Sequence, residues 1–135
     1  MARNTEHRIG VLIPQSNAYP LMGKEFLNGF RMALGDLNYE LCIESIGFGA
    51  DAKQLLNSFQ KLTLQNDVNL TTGLLGHYGF DELANFASQN EEVLITADLG
   101  SKKPRRSPSN VFQNSLGLYD GLGALVRYFE SKSIN

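Results

Sequence analysis

What most constrains this chain is a hydrophobic pattern that keeps switching between a strand period and a helix period. Arg8 to Ile13 (RIGVLI) is a short apolar run closed by Pro14, which predicts a buried strand. Pro14 to Gly23 is rich in turn formers and reads as a loop. From Lys24 to Leu37 the residues Phe26, Phe30, Ala33, Leu34 and Leu37 share one face of a helix. Glu40 to Phe48 alternates, with Leu41 and Ile43 on one side and Cys42, Ile46 and Phe48 on the other. Glu44 and Ser45 place that strand at or near a sheet edge.

The alternation continues to the end of the chain. Asp51 is a natural N-cap for a second helix whose inner face carries Leu55, Phe59 and Leu62. Val68 to Leu75 predicts a strand running into a glycine-marked loop, Gly76-His77-Tyr78-Gly79. Asp81 to Asn90 predicts a helix with Leu83, Ala84 and Ala87 inward, and Val93 to Ala97 another strand. A polar loop from Asp98 to Asn110 leads to a short extended piece, Val111-Phe112-Gln113. The last helix, Leu118 to Ser131, lines up Tyr119, Leu122, Val126 and Phe129.

Strands that alternate with helices demand a parallel sheet with right-handed crossovers and helices on both faces. The expected fold class is therefore α/β, a three-layer doubly wound, Rossmann-like parallel sheet. Its 135 residues suit a single domain, and 42% hydrophobic residues are enough for a real core. Twelve basic residues against 14 acidic ones leave a net charge of -2, so no nucleic-acid partner is expected. The single cysteine, Cys42, excludes an internal disulfide and a multi-thiolate metal site, and is read as an apolar filler. No apolar run approaches the length of a membrane span, and the polar stretch Met1 to Arg8 lacks a signal-peptide core.

In sheets of this kind ligands bind beyond the carboxyl ends of the strands, here the loops starting at Pro14, Gly47, Gly76 and Asp98. Gly47-Phe48-Gly49-Ala50-Asp51-Ala52 fits the G-x-G-x-x-A dinucleotide fingerprint, yet the next strand ends in Leu75-Gly76-His77 where a ribose-binding acid belongs. It reads better as a tight turn before a capped helix. His77 and Tyr78 offer a polar or stacking contact, and Asp98 can hold a cationic group or cap a turn. Ser16 and Ser101 lack a nucleophile-elbow sequence, so no catalytic residue, cofactor or metal is expected. The basic run Lys102-Lys103-Pro104-Arg105-Arg106 reads as a solvated loop. Asn69-Leu70-Thr71 matches a glycosylation sequon, but is set aside because it falls inside a predicted strand.

Several segments, in order, resemble the first lobe of a type I periplasmic binding protein of the branched-chain amino-acid-binding kind. They are Ile9-Gly10-Val11-Leu12-Ile13-Pro14, then Gly23 to Leu34 (GKEFLNGFRMAL), Leu62 to Gly76 and Val93-Leu94-Ile95-Thr96-Ala97. Ser107 to Ser115 resembles the family's "SP-x-VF-x-x-S" segment. The resemblance implies a non-enzymatic solute binder that holds a small-molecule ligand between two α/β lobes. The ligand would pass to an ABC transporter permease or a receptor partner, in a periplasmic or extracytoplasmic setting. By position, the implied ligand contacts are Gln15, Ser16 and Asn17, then His77 and Tyr78, then Ala97, Asp98 and Leu99.

The chain departs from the family pattern in two respects. His77-Tyr78 and Ala97-Asp98-Leu99 stand where amino-acid binders carry hydroxyls, which leaves aromatic and other polar ligands as open as amino acids. The resemblance implies that residues 1–135 are an N-terminal lobe truncated near the hinge, with the C-terminal lobe missing. A face normally covered by the missing segments is then expected to be exposed, or covered by a second copy as a homodimer. The alternatives are a small flavodoxin-like or response-regulator-like domain and a nucleotide-dependent enzyme fragment. The strand ending in Pro14-Gln15 rather than paired aspartates disfavours the phosphate-receiving version.

Overall fold

The computed structural model describes residues 7–47, 51–75, 79–98, 107–115 and 117–132. The elements run β1 (His7–Gln15), α1 (Met22–Leu34), β2 (Tyr39–Gly47), α2 (Ala52–Gln60), β3 (Leu70–Leu74), α3 (Phe80–Gln89), β4 (Leu94–Asp98), β5 (Val111–Ser115) and α4 (Leu118–Lys132). The strands form one sheet in the order β2-β1-β3-β4-β5, and every adjacent pair is parallel. The α/β class and the doubly wound parallel sheet expected from the alternating periods are what the chain adopts.

Strand register sorts the side chains onto two faces. Ile9, Val11 and Ile13 of β1 share one face with Leu41 and Ile43 of β2, Leu70 of β3, and Ile95 and Phe112 of β4 and β5. Helix α1 covers the β1 end of that face with Phe26, Leu27, Phe30 and Leu34. Leu12, Cys42, Ile46, Leu94 and Val111 point to the other face, where α2 and α3 close the larger core with Leu55, Phe59, Leu83, Ala84 and Ala87. Phe59 is fully buried at its centre, with its ring edge-on to Phe86 at 5.6 Å. Helix α1 presses so closely on β1 that a Cβ on Gly23 would collide with the Ile13 side chain.

The sequence reading needs correction in several places. Helix α1 stops at Leu34, where Gly35 takes φ 56 and donates its N–H to the Arg31 carbonyl, so Leu37 falls outside the helix and is exposed. Ala33 also faces solvent rather than the core. Helix α2 does not end as a plain α-helix: it continues into a π-helical turn, Lys61–Gln65, that keeps Leu62 buried. Strand β3 begins at Leu70, which leaves Asn69 exposed ahead of it, its side-chain oxygen accepting from the Arg8 N–H at 2.7 Å. Phe48 lies outside the described residues.

Side-chain hydrogen bonds from Asn110 anchor the described residues just ahead of β5. Asn110 donates from one amide group to the carbonyls of Ala87 at 2.8 Å and Glu92 at 2.6 Å, tying the end of α3 to the start of β5. Near the same end of the sheet, burial first and the Asp67 carboxylate second raise the Glu92 carboxyl above its usual value of 4.5.

Two stability outcomes follow. Phe59→Ala empties the centre of the larger core and should cost about 3–5 kcal/mol in urea unfolding. Glu92 carries the opposite sign from a stabilising carboxylate: with its folded pKa raised, its charge destabilises the fold once the pH is above that pKa. Glu92→Gln should therefore raise the Tm at neutral pH, and the gain should shrink towards about pH 4, where the native glutamate is protonated as well. An equal gain at both pH values would remove the electrostatic explanation.

Candidate functional site

A parallel sheet gathers all its strand carboxyl ends along one edge. Here that edge carries Gly47, Gln15, Leu74, Asp98 and Ser115 in the order β2-β1-β3-β4-β5. The order reverses between β1 and β3. The chain leaves β1 into α1 on one face and leaves β3 into α3 on the other. Connections that diverge from adjacent strands open a crevice, the position where α/β sheets place ligands.

Polar side chains of β1, of the loop after it and of β2 lie on one side of this position. Gln15, the last residue of β1, is exposed and donates from Nε2 to Ser45 Oγ at 3.1 Å. Ser16 is half-buried and its Oγ accepts from the Tyr19 N–H at 3.2 Å, which fixes the first turn of the loop. That turn leaves the Ser16 hydroxyl hydrogen as a donor, and Asn17 beside it is exposed. Across β3, Asp98 ends β4 half-buried, level with Ser115 of β5. Two strand spacings separate the β1 and β4 ends, about 10 Å, a span suited to a small organic molecule.

The nearby helix starts are built differently. Asp51 caps α2 by accepting from the Gln54 N–H at 2.8 Å, as its sequence position predicts. Helix α3 has no side-chain cap and starts at Gly79, whose φ of 73 favours glycine. A Cβ at Gly79 would also lie 2.8 Å from Leu55 Cδ1 and 2.9 Å from Ala52 Cα, so glycine lets the starts of α2 and α3 pack together. Neither the capping of α2 by Asp51 nor the contact at Gly79 needs a ligand; both shape the floor of the same edge.

Of the residues singled out from the sequence, Gln15, Ser16, Asn17 and Asp98 lie along this edge, Asp98 two strands from the others. Ala97 lies within β4 rather than in the loop beyond it, level with Leu74 and Asn114. Its side chain belongs to the sheet face shared with Ile95. His77, Tyr78 and Leu99 lie outside the described residues. Ser45 was missed, because a serine on an edge strand signals only exposure. Its role emerges from the register that sets β2 beside β1.

Chemically the described strand ends and the loop after β1 offer neutral amides and hydroxyls with the Asp98 carboxylate, while Asp51, Asp81 and Glu82 stand at the helix starts of the same edge. Among the described residues no three His, Cys, Asp or Glu side chains gather as metal ligands. The loop that fits the dinucleotide fingerprint follows β2, an edge strand, rather than a strand at the reversal point. No described helix is long and apolar enough to cross a membrane. Cys42 is buried in the larger core, and its Sγ accepts from Arg8 Nη2 at 3.9 Å. No protein-family model matches the chain, and no curated protein matches it.

Because Asp51 secures the start of α2 at this edge, Asp51→Ala should cost about 1 kcal/mol. Denaturant unfolding checks the loss, and Asp51→Asn or Asp51→Ser should recover most of it.

Proposed function

We propose that the chain is a ligand-binding lobe that holds a small polar solute, an amino acid or a related molecule, at the carboxyl edge of its sheet. The observation that carries this reading is the coincidence of the reversal point between β1 and β3 with Gln15, Ser16, Asn17 and Asp98. The amides and hydroxyls can donate to and accept from a polar solute, and the Asp98 carboxylate suits an ammonium or another donor on it. The resemblance of Ile9 to Pro14, Gly23 to Leu34 and Ser107 to Ser115 to the first lobe of type I periplasmic binding proteins supports the same reading. In that reading the chain acts without catalysis. A second lobe would supply the opposing contacts, and an ABC transporter permease or a receptor partner would take the ligand.

A lobe acting alone contributes only part of the contacts, so its affinity should be modest. A thermal-shift screen against amino acids, aromatic acids, nucleosides and nucleotide cofactors should show stabilisation by one class of small polar solute at millimolar concentration. Asp98→Asn should weaken binding of a cationic or ammonium-bearing ligand about tenfold, read as ligand-induced stabilisation measured against the variant's own ligand-free Tm. Stabilisation by NAD or ATP alone would replace this reading with a nucleotide-dependent one.

A further inference from the structure

Among the described residues two apolar surfaces are about half exposed, and they complement each other. The first is α4, which contributes no buried residue. At helical spacing, Leu118, Tyr119, Leu122, Leu125, Val126, Tyr128 and Phe129 fill one half of its circumference, and each is between 43% and 58% exposed. Asp120, Arg127 and Glu130 fall in the other half. The second is the far end of the sheet face that α1 covers only at β1. There Phe112 of β5 is 53% exposed, beside half-buried Ile95 and Ala97 of β4.

We infer that α4 lies across the β4–β5 end of the sheet of a second copy of this chain, in a reciprocal exchange that gives a two-fold dimer. The connector is short and anchored. Only residues 116 and 117 separate β5 from α4, and Gly117 is fastened at both ends. Its N–H donates to Ser115 Oγ at 3.1 Å, and its carbonyl accepts from the Gly121 N–H at 2.9 Å. With this connector α4 buries none of its residues against its own sheet, which leaves its apolar half for a second copy to cover.

Dimensions and area agree with a second copy as the occupant. A 15-residue helix is about 22 Å long, enough to cover five-residue strands of about 17 Å. Removing the half-exposed rings and aliphatic side chains of α4 and Phe112 from water would bury about 700 Å² of apolar surface per copy. Across a two-fold pair that is about 1,400 Å², within the range of stable, specific interfaces. The exchange concerns the sheet face and α4, and stands or falls independently of the ligand at the carboxyl edge.

Light scattering on the size-fractionated full chain tests the inference, with a dimer mass expected at micromolar concentration. Two variants place charge on the two surfaces: Leu122→Glu with Val126→Glu on α4, and Phe112→Glu on the sheet. Each should run as a monomer, with dimer dissociation constants raised at least about 100-fold, because unpaired charge is costly in an apolar contact. The altered side chains are exposed in one copy, so circular dichroism should show the monomer fold retained. Mixing the two variants is the decisive arm. In an exchanged pair the intact α4 of one meets the intact sheet of the other, so the mixture should recover dimer that neither variant forms alone. A monomeric parent chain at about 100 μM would overturn the inference, whether α4 folds back in its own copy or awaits a different protein. A Phe112→Glu variant that stays dimeric would overturn it in favour of α4 pairing with α4, and a mixture of the two variants that stays monomeric would overturn the exchange itself.

Discussion

Everything in this molecule is arranged around β1, whose residues Ile9 to Pro14 are all buried. A strand in the interior of a parallel sheet must be shielded on both faces, because each alternate side chain points to the opposite layer. Ile9, Val11 and Ile13 meet α1, while Leu12 meets the core beneath α2 and α3. Gly10 belongs to the second face, where a Cβ would crowd Thr71 Oγ1 and Leu62. One strand thus demands two helical layers, and right-handed crossovers on either side of it produce the order β2-β1-β3-β4-β5.

The candidate site follows from the same constraint. Because β1 sits at the reversal of strand order, its carboxyl end is where the chain leaves in one direction and its neighbour β3 leaves in the other. Short polar residues at that end cost the core nothing, since they lie beyond the buried run. Gln15 reaching Ser45 and Ser16 holding the Tyr19 N–H show the edge already organised by its own hydrogen bonds. The two layers are unequal. The α2–α3 side closes over Phe59 and Leu83, whereas α1 alone leaves β4 and β5 partly bare on its own side.

Most of the element order was legible from the sequence because hydrophobic period is a local signal tied directly to burial. The inner faces of α2 and α3 matched closely, since Leu55, Phe59, Leu83, Ala84 and Ala87 pack against a complete layer. The reading failed where a local feature overrode the period. Gly35 ended α1 before Leu37, and a π-helical turn extended α2. It also failed to find Ser45, whose part in the site depends on which strand lies beside β1, a fact about pairing rather than periodicity. For α4, an apolar stripe in the sequence promised burial, yet the same stripe is exposed in a single copy.

By itself, the sequence determined that this chain would build a parallel α/β sheet and that polar residues would collect where the strands end. Alternating periods and turn residues encode those outcomes locally. Only the tertiary structure decided which strands are neighbours, that the order reverses beside Gln15, and that Asp98 stands two strands away on the same edge. It alone decided which apolar surface is left uncovered. Those facts depend on crossovers between distant segments, and no local pattern of side chains specifies them.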